Sequence, residues 1–221
     1  MIYSLTMIKR ILATSFLSIV GFASIAYYYW YKPKFKSASS AHSFSNSKIN
    51  IAEFAKLKNN AAYLKKFATA HGYYTNSCFI VDMSISSGKK RFFVYNLLKD
   101  SVEYSGLVTH GSGSDNASGN LKFSNTPGGY CTSLGKYKIA GSYKGRFGLA
   151  YKLYGLDKTN NNAYARAVVL HSHSCVPDEE ISPLPICKSL GCPTVSPAFL
   201  MVLKTYIEKT KQPILLDIVE N

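Results

Sequence analysis

Two residues in this sequence are of a type and spacing to do thiol chemistry. Val168-Val169-Leu170 is an apolar run of the kind that forms a strand, and it delivers His171 at its end. After a polar, Pro-containing loop comes Cys187-Lys188-Ser189-Leu190-Gly191-Cys192-Pro193, with a cysteine set behind a glycine and before a proline. A free thiol titrates near about 8.5 and is mostly protonated at neutral pH. A histidine within hydrogen-bond reach can take its proton and later return it to a leaving amine. Gly191 permits close backbone approach, so the amides of Gly191 and Cys192 are candidates to face a developing oxyanion, while Pro193 fixes the chain after the sulfur. His173 is the rival base, since residues two apart on an extended strand point the same way. His110 and His42 read as surface or loop residues.

The remaining cysteines fit an oxidising compartment. Cys175 and Cys187 bracket the loop Val176 to Ile186, and a disulfide there would contribute about 3 kcal/mol in the chain-entropy picture. Cys78 and Cys131 form a second bridge or remain buried thiols. Five cysteines leave at least one without a partner in the chain, which suits a nucleophile. His171, His173, Cys175, Cys187 and Cys192 are residue types that bind zinc, but their spacing matches no compact ligand-pair pattern. No metal and no cofactor are expected.

The elements that must position these groups are mostly strands. Cys78 to Met83, Arg91 to Tyr95, Val102 to Thr109, Tyr137 to Ile139, Tyr151 to Tyr154 and Ala167 to Leu170 are short runs between Gly, Asn and Ser turn signals. They predict a mainly β fold, a sandwich or barrel, with a few peripheral helices. One helix opens at the capping box Asn50-Ile51-Ala52-Glu53, continues through Ile51, Phe54, Leu57, Ala61, Leu64 and Ala68, and stops at His71-Gly72. A second follows the cap Ser196-Pro197 through Phe199, Val202, Leu203 and Ile207, and Pro213 to Ile218 is a last strand.

The whole set resembles a known family. Ser189-Leu190-Gly191-Cys192-Pro193 after Leu170-His171-Ser172 is similar to the active-site signature of murein L,D-transpeptidases, in the branch with Ser-x-Gly-Cys-Pro. Val81-Asp82-Met83-Ser84, Thr109-His110-Gly111-Ser112-Gly113, Phe123-Ser124-Asn125-Thr126-Pro127-Gly128, Ser133-Leu134-Gly135-Lys136-Tyr137, Tyr154-Gly155-Leu156-Asp157 and Asn162-Ala163-Tyr164-Ala165-Arg166 follow in that branch's order. The resemblance implies an L,D-transpeptidase-like β fold with Cys192 as nucleophile and His171 as base. It also implies that the Ser172 carbonyl orients the imidazole, that Gly191 belongs to the oxyanion site, and that Ser189 lies beside the nucleophile. Ser189, His173 and Arg166 are the candidate substrate contacts, with an acid at the edge of the core as the alternative partner for Arg166. Ser124, Asn125 and Ser133 read as structural. The implied reaction is attack on a peptidoglycan stem between its third residue and D-Ala, followed by transfer to an amine of a second stem. Water as acceptor makes it an L,D-carboxypeptidase, and a non-catalytic wall binder is the other class. Leu190 stands where many relatives have a second histidine, and Pro193-Thr194 stands where they carry Arg or Asn.

Composition bounds the partners. The chain has 221 residues and a formal net charge of +14, which attracts polyanions. There is no dense Lys/Arg helix, zinc-finger spacing or phosphate loop, so nucleic acid is not expected as a partner. Lys9-Arg10 precedes an uncharged stretch from Ile11 to Tyr31, long enough at about 1.5 Å per residue to cross about 30 Å of hydrocarbon. It ends in Tyr27-Tyr28-Tyr29-Trp30-Tyr31, an interfacial aromatic cluster. Two readings stand: an uncleaved anchor, or a signal peptide cut after Ala26. The expected organisation is therefore a signal anchor or signal peptide over 1–31, a flexible Ser/Lys-rich tether over 32–49 and a catalytic domain over 50–221. The expected location is the bacterial cell envelope, on the periplasmic side of the inner membrane.

Overall fold

Short apolar runs recur along the chain after residue 76, and successive side chains of each extended run point to opposite faces of a sheet. The computed structural model describes residues 7, 14–15, 18–25, 27, 51–116 and 119–221. The chain divides into two units, Met1–Ser43 and Phe44–Asn221. In the first, residues 18–25 are helical. About half of the Ile11 to Tyr31 segment falls outside the described residues, as do the whole of the 32–49 tether, His42 and the Asn50 cap. Among the described residues no helix is long and apolar enough to cross a membrane.

The second unit is built on eight strands: β1 (Ser77–Asp82), β2 (Phe92–Asn96), β3 (Ser101–Gly106), β4 (Gly135–Gly145), β5 (Gly148–Gly155), β6 (Val169–Ser172), β7 (Thr194–Val195) and β8 (Leu215–Val219). They form one mixed sheet in the order β3-β2-β1-β8-β4-β5-β6-β7. The sheet curls far enough that Val108, just past one edge strand, bridges Val195 on the other. This is the mainly β fold with peripheral helices that the sequence leads one to expect.

One face carries Phe79, Val81, Phe92, Val94, Tyr137, Tyr151, Leu153, Leu170, Leu216 and Ile218, and it encloses the main core together with helix α2. That helix, Pro197–Ile207, begins where expected: the Ser196 hydroxyl accepts the Phe199 N–H, and proline occupies the first turn. It buries Phe199, Leu200 and Leu203.

The opposite face has three zones. Over β1 and β8 it is covered by helix α1 (Ile51–His71), which packs Leu57, Ala61, Leu64 and Ala68 against Cys78, Ile80, Phe93, Tyr95 and Leu215. Gly72 ends this helix at φ 71°, and the Tyr73 N–H returns to the Ala68 carbonyl. Over β4 and β5 the same face carries Lys138, Lys152 and Tyr154, because Lys138 pairs with Tyr154 and the chain alternates on either side. Over β6 it carries His171, directly opposite Ala150 of β5.

Because Leu203 is fully buried between α2 and the sheet, Leu203→Ala should lower the unfolding free energy by about 2–5 kcal/mol. Urea denaturation checks this; an unchanged midpoint and slope would contradict the packing.

Candidate active site

The cleft is set by the shortest strand. β7 pairs in parallel with β6, His171 opposite Thr194 and Ser172 opposite Val195. The same offset carried back two residues puts Cys192 beside Val169, and the Val169 N–H indeed points to Cys192 Sγ at 3.5 Å. The thiol proton is directed to the Ala167 carbonyl, with a donor–acceptor distance of 3.8 Å. Cys192 and His171 line one cavity of about 470 Å³.

His171 is held at both nitrogens. Nδ1 lies 3.1 Å from the Ser172 carbonyl, and Nε2 lies 3.0 Å from Thr194 Oγ1. A carbonyl oxygen can only accept, so Nδ1 carries the proton; in the neutral ring Nε2 is then an acceptor, and the Thr194 hydroxyl donates to it. Phe147, from the turn between β4 and β5, stacks on the imidazole at 5.2 Å. Burial pushes the His171 pKa below the ordinary histidine value; the Ser172 bond opposes this shift and the nearby His173 adds to it. Burial pushes the Cys192 thiol above the ordinary cysteine value, against the Val169 amide and the Arg166 charge, which both favour thiolate. The resting pair is thus a neutral imidazole and a neutral thiol.

The loop bearing the sulfur is held from within. The Ser189 hydroxyl donates to the Cys192 carbonyl at 2.6 Å and accepts the Gly191 N–H at 3.1 Å. Ser189, expected as a substrate contact, therefore has its hydroxyl committed to shaping the loop, although it still lines the cavity. The Gly191 amide is likewise taken by Ser189 rather than aimed at the cleft. The Cys192 amide has no protein partner among the described residues. Gly191 has φ 106°, and a Cβ there would lie 2.8 Å from the Cys131 carbonyl, so only glycine fits without strain. Thr109 closes the other side: its N–H donates to the Thr194 carbonyl at 2.9 Å, and its hydroxyl donates to the Cys192 carbonyl at 3.2 Å.

Arg166 reaches neither an acid nor open solvent alone. Its guanidinium donates to the carbonyls of Ser124 and Cys131 and to Ser133 Oγ, clamping the 124–133 segment along the cavity wall. The alternative of a partner acid at the core edge is not what is found. His173 follows β6, lines the cavity and meets Phe147 edge-on at 5.3 Å, so both histidines do face one side. Its Nδ1 accepts the Cys175 N–H. Asn125 and Ser133 act structurally: the Asn125 amide donates to Asn161 Oδ1 at 2.7 Å, and Ser133 Oγ contacts Tyr137 Oη at 2.8 Å.

Cys175 and Cys187 are disulfide-bonded, which removes both sulfurs from any zinc set, while Cys78, Cys131 and Cys192 are free. Cys78 and Cys131 are the buried thiols rather than a second bridge.

His110 corrects an expectation. It is not a surface residue but buried, with Nδ1 3.0 Å from Arg91 Nη2 and Nε2 2.9 Å from Asp115 Oδ1. Asp115 in turn pairs with Lys188. Burial holds its pKa low, Asp115 opposes that, and Arg91 and Lys188 add to it. Its carbonyl accepts the Ser189 N–H at 2.9 Å, so this network backs the cysteine loop. Sequence reasoning also missed Thr194, Thr109 and Phe147. Thr194 carried a usable signal, a hydroxyl two residues after the cysteine; Phe147 carried none.

A cysteine and a histidine thus share one cleft on one face of a curled mixed sheet, with the imidazole oriented by the next carbonyl. The L,D-transpeptidase catalytic domain model matches residues 45–215, and the chain belongs to that family. No curated protein matches it. Among solved structures, the helical cell shape determining protein Pgp2 from Campylobacter jejuni is 14% identical with a TM-score of 0.41, covering 71% of this chain and 55% of that one. An L,D-transpeptidase from Xylanimonas cellulosilytica is 15% identical with a TM-score of 0.35, covering 70% and 68%. One from Mycobacterium smegmatis is 11% identical with a TM-score of 0.37, covering 65% and 58%. The chain spans little more than half the length of the Campylobacter protein.

With the thiol pKa raised, alkylation of Cys192 by iodoacetamide, followed by peptide mass spectrometry, should climb through alkaline pH and inflect above the ordinary cysteine value. A plateau already reached in the neutral range would mean a preformed thiolate–imidazolium pair instead.

Proposed function

We propose that this chain is a peptidoglycan L,D-transpeptidase with Cys192 as nucleophile and His171 as general base. The observation that carries this reading is the one cavity lined by both Cys192 and His171, with the single imidazole proton held by the Ser172 carbonyl. Nε2 is the basic nitrogen, and the Thr194 hydroxyl that donates to it must turn away before it can take a proton. For reaction, the thiol turns from Ala167 toward Nε2 and gives up its proton there. The thiolate attacks the carbonyl carbon of the third stem residue, a diamino acid, and the Cys192 N–H is the donor left for the oxyanion. As the tetrahedral adduct collapses, the C–N bond breaks, His171 returns the proton to the leaving amine, and D-Ala departs. A thioester remains on Cys192. An amine of a second stem attacks it, loses its proton to Nε2 and expels the thiolate, giving a 3–3 cross-link.

His173 and Arg166 flank this path as substrate-side groups, Arg166 chiefly by holding the wall that faces the stem. Residues 50–221 are the catalytic domain in this reading. Residues 32–49 tether it to a segment over 1–31 that anchors or exports it, so that the domain works on the periplasmic side of the inner membrane.

A carbapenem resembles the acyl donor. It should add its mass to Cys192 in the reduced wild-type protein and leave Cys192→Ala unlabelled, while His171→Ala should slow labelling by about 10²–10⁴-fold. Absence of an adduct on folded wild-type protein would move the chain to a non-catalytic wall binder. With a stem tetrapeptide, cross-linked dimer together with free D-Ala supports transfer to an amine; tripeptide with D-Ala and no dimer assigns water as the acceptor.

A further inference from the structure

The sheet face that bears His171 continues over β4 and β5 with no helix upon it among the described residues beyond Lys136, where Tyr63 and Phe67 of α1 mark the edge of that helix's cover. From Lys136 to Leu156 the sequence holds five cations and no acid. On this face the side chains form a connected ladder. Lys138 Nζ stands 5.1 Å over the Tyr154 ring. Tyr154 stacks on Tyr164 at 4.9 Å with the planes 14° apart. Lys152 Nζ lies 5.7 Å from the Tyr164 ring and 5.8 Å from the Tyr143 ring. Tyr164, Tyr143 and Lys152 are exposed. Among the described residues neither Lys138 nor Lys152 has a carboxylate partner.

Such a surface is unlike an ordinary solvated one. Lysines on a solvated face are usually interspersed with acids, and tyrosines that stack in pairs expose broad apolar ring faces. Here the cations meet ring faces in place of acids, Tyr143, Tyr164 and Lys152 stay exposed, and together they form one strip. The strip also leads to the cleft. Lys152 is opposite Val169, whose amide binds Cys192 Sγ, and Ala150 is opposite His171. The segment that carries Tyr164 continues directly into Arg166 and Ala167 on the cavity wall.

We propose that this strip is a second binding surface, separate from the cleft, for the peptidoglycan polymer itself. Tyr143 and Tyr164 take the apolar faces of its sugar rings, with Tyr154 backing Tyr164, and Lys138 and Lys152 take the carboxylates of its stem peptides. Peptidoglycan joins both chemistries in one polymer, whereas an anionic lipid surface offers charge without rings to stack upon. The identity of the polymer rests on the reading of the cleft given above; the presence of a docking face does not. Its action is to raise the local concentration of stems beside Cys192.

The test uses the full chain in mild detergent, carrying Cys192→Ala to prevent turnover, in pelleting assays with purified sacculi. Lys138→Glu with Lys152→Glu should weaken binding by about tenfold or more at low salt, and raising the salt should weaken the parent protein toward the same level. Tyr154→Ala with Tyr164→Ala should weaken sacculus binding while leaving binding to phosphatidylglycerol vesicles unchanged. With Cys192 restored, both double variants should be acylated by a small carbapenem within about twofold of wild type, since that probe does not use the strip. If the glutamate pair fails to fold by circular dichroism, Lys138→Gln with Lys152→Gln replaces it. Unchanged sacculus affinity in the folded lysine and tyrosine variants overturns the proposal, and loss of vesicle binding alone assigns the strip to a lipid surface and also overturns it. Strip-dependent sacculus binding in a protein that no carbapenem acylates would leave the strip standing and remove the transpeptidase reading.

Discussion

A parallel ladder of only two residues, His171 beside Thr194 and Ser172 beside Val195, carries the cleft. Its register decides which residue meets the Val169 amide, and that residue is Cys192. So short a strand cannot hold register through its own hydrogen bonds. It is pinned instead by Thr109, which bonds the Thr194 backbone and the Cys192 carbonyl, and by α2, which starts directly after it at the Ser196 cap. Beneath lies the main core, where Val195, Leu170 and Leu203 are all buried. A one-residue slip would turn His171 into that core, so burial of the inner face enforces the geometry of the outer one.

The electrostatics of the site follow from the same placement. A group sunk beside a core is desolvated, and desolvation favours the uncharged form of both partners: histidine without its second proton, cysteine with its only one. In the proposed mechanism the imidazole is therefore available as a base at neutral pH, and charge separation waits for substrate. Arg166 and the Val169 amide provide a field that favours thiolate once the proton leaves. The Arg91–His110–Asp115–Lys188 network stands behind the loop and fixes it through the His110 carbonyl.

The long-range plan was legible in the residues because it rests on periodicity. β1, β2, β3 and β8 lie where short apolar runs stand between turn signals, α1 lies where helical spacing predicts it, and α2 where the Ser196 cap and that spacing coincide. The disulfide and the Ser172 contact to His171 also follow expectation, the latter from the family resemblance. What escaped has a common physical cause. β7 has two residues and no period to read. His110 sits in the polar run Thr109-His110-Gly111, which resembles a loop until Arg91 and Asp115, brought in from elsewhere, make its burial affordable. The commitment of Ser189 and Arg166 to backbone groups depends on how two loops approach, which the sequence does not encode locally.

One sheet face thus runs from a helix-covered end, through a basic aromatic strip, to a cysteine–histidine cleft, and the chemistry at that end depends on a single protonation state. Nitrogen-15 NMR of the His171 ring at neutral pH measures that state directly. The expected result is a neutral imidazole with its proton on Nδ1, remaining neutral to below the ordinary histidine pKa. An imidazolium at neutral pH, or a proton on Nε2, would contradict the role of His171 as the base that receives the thiol proton.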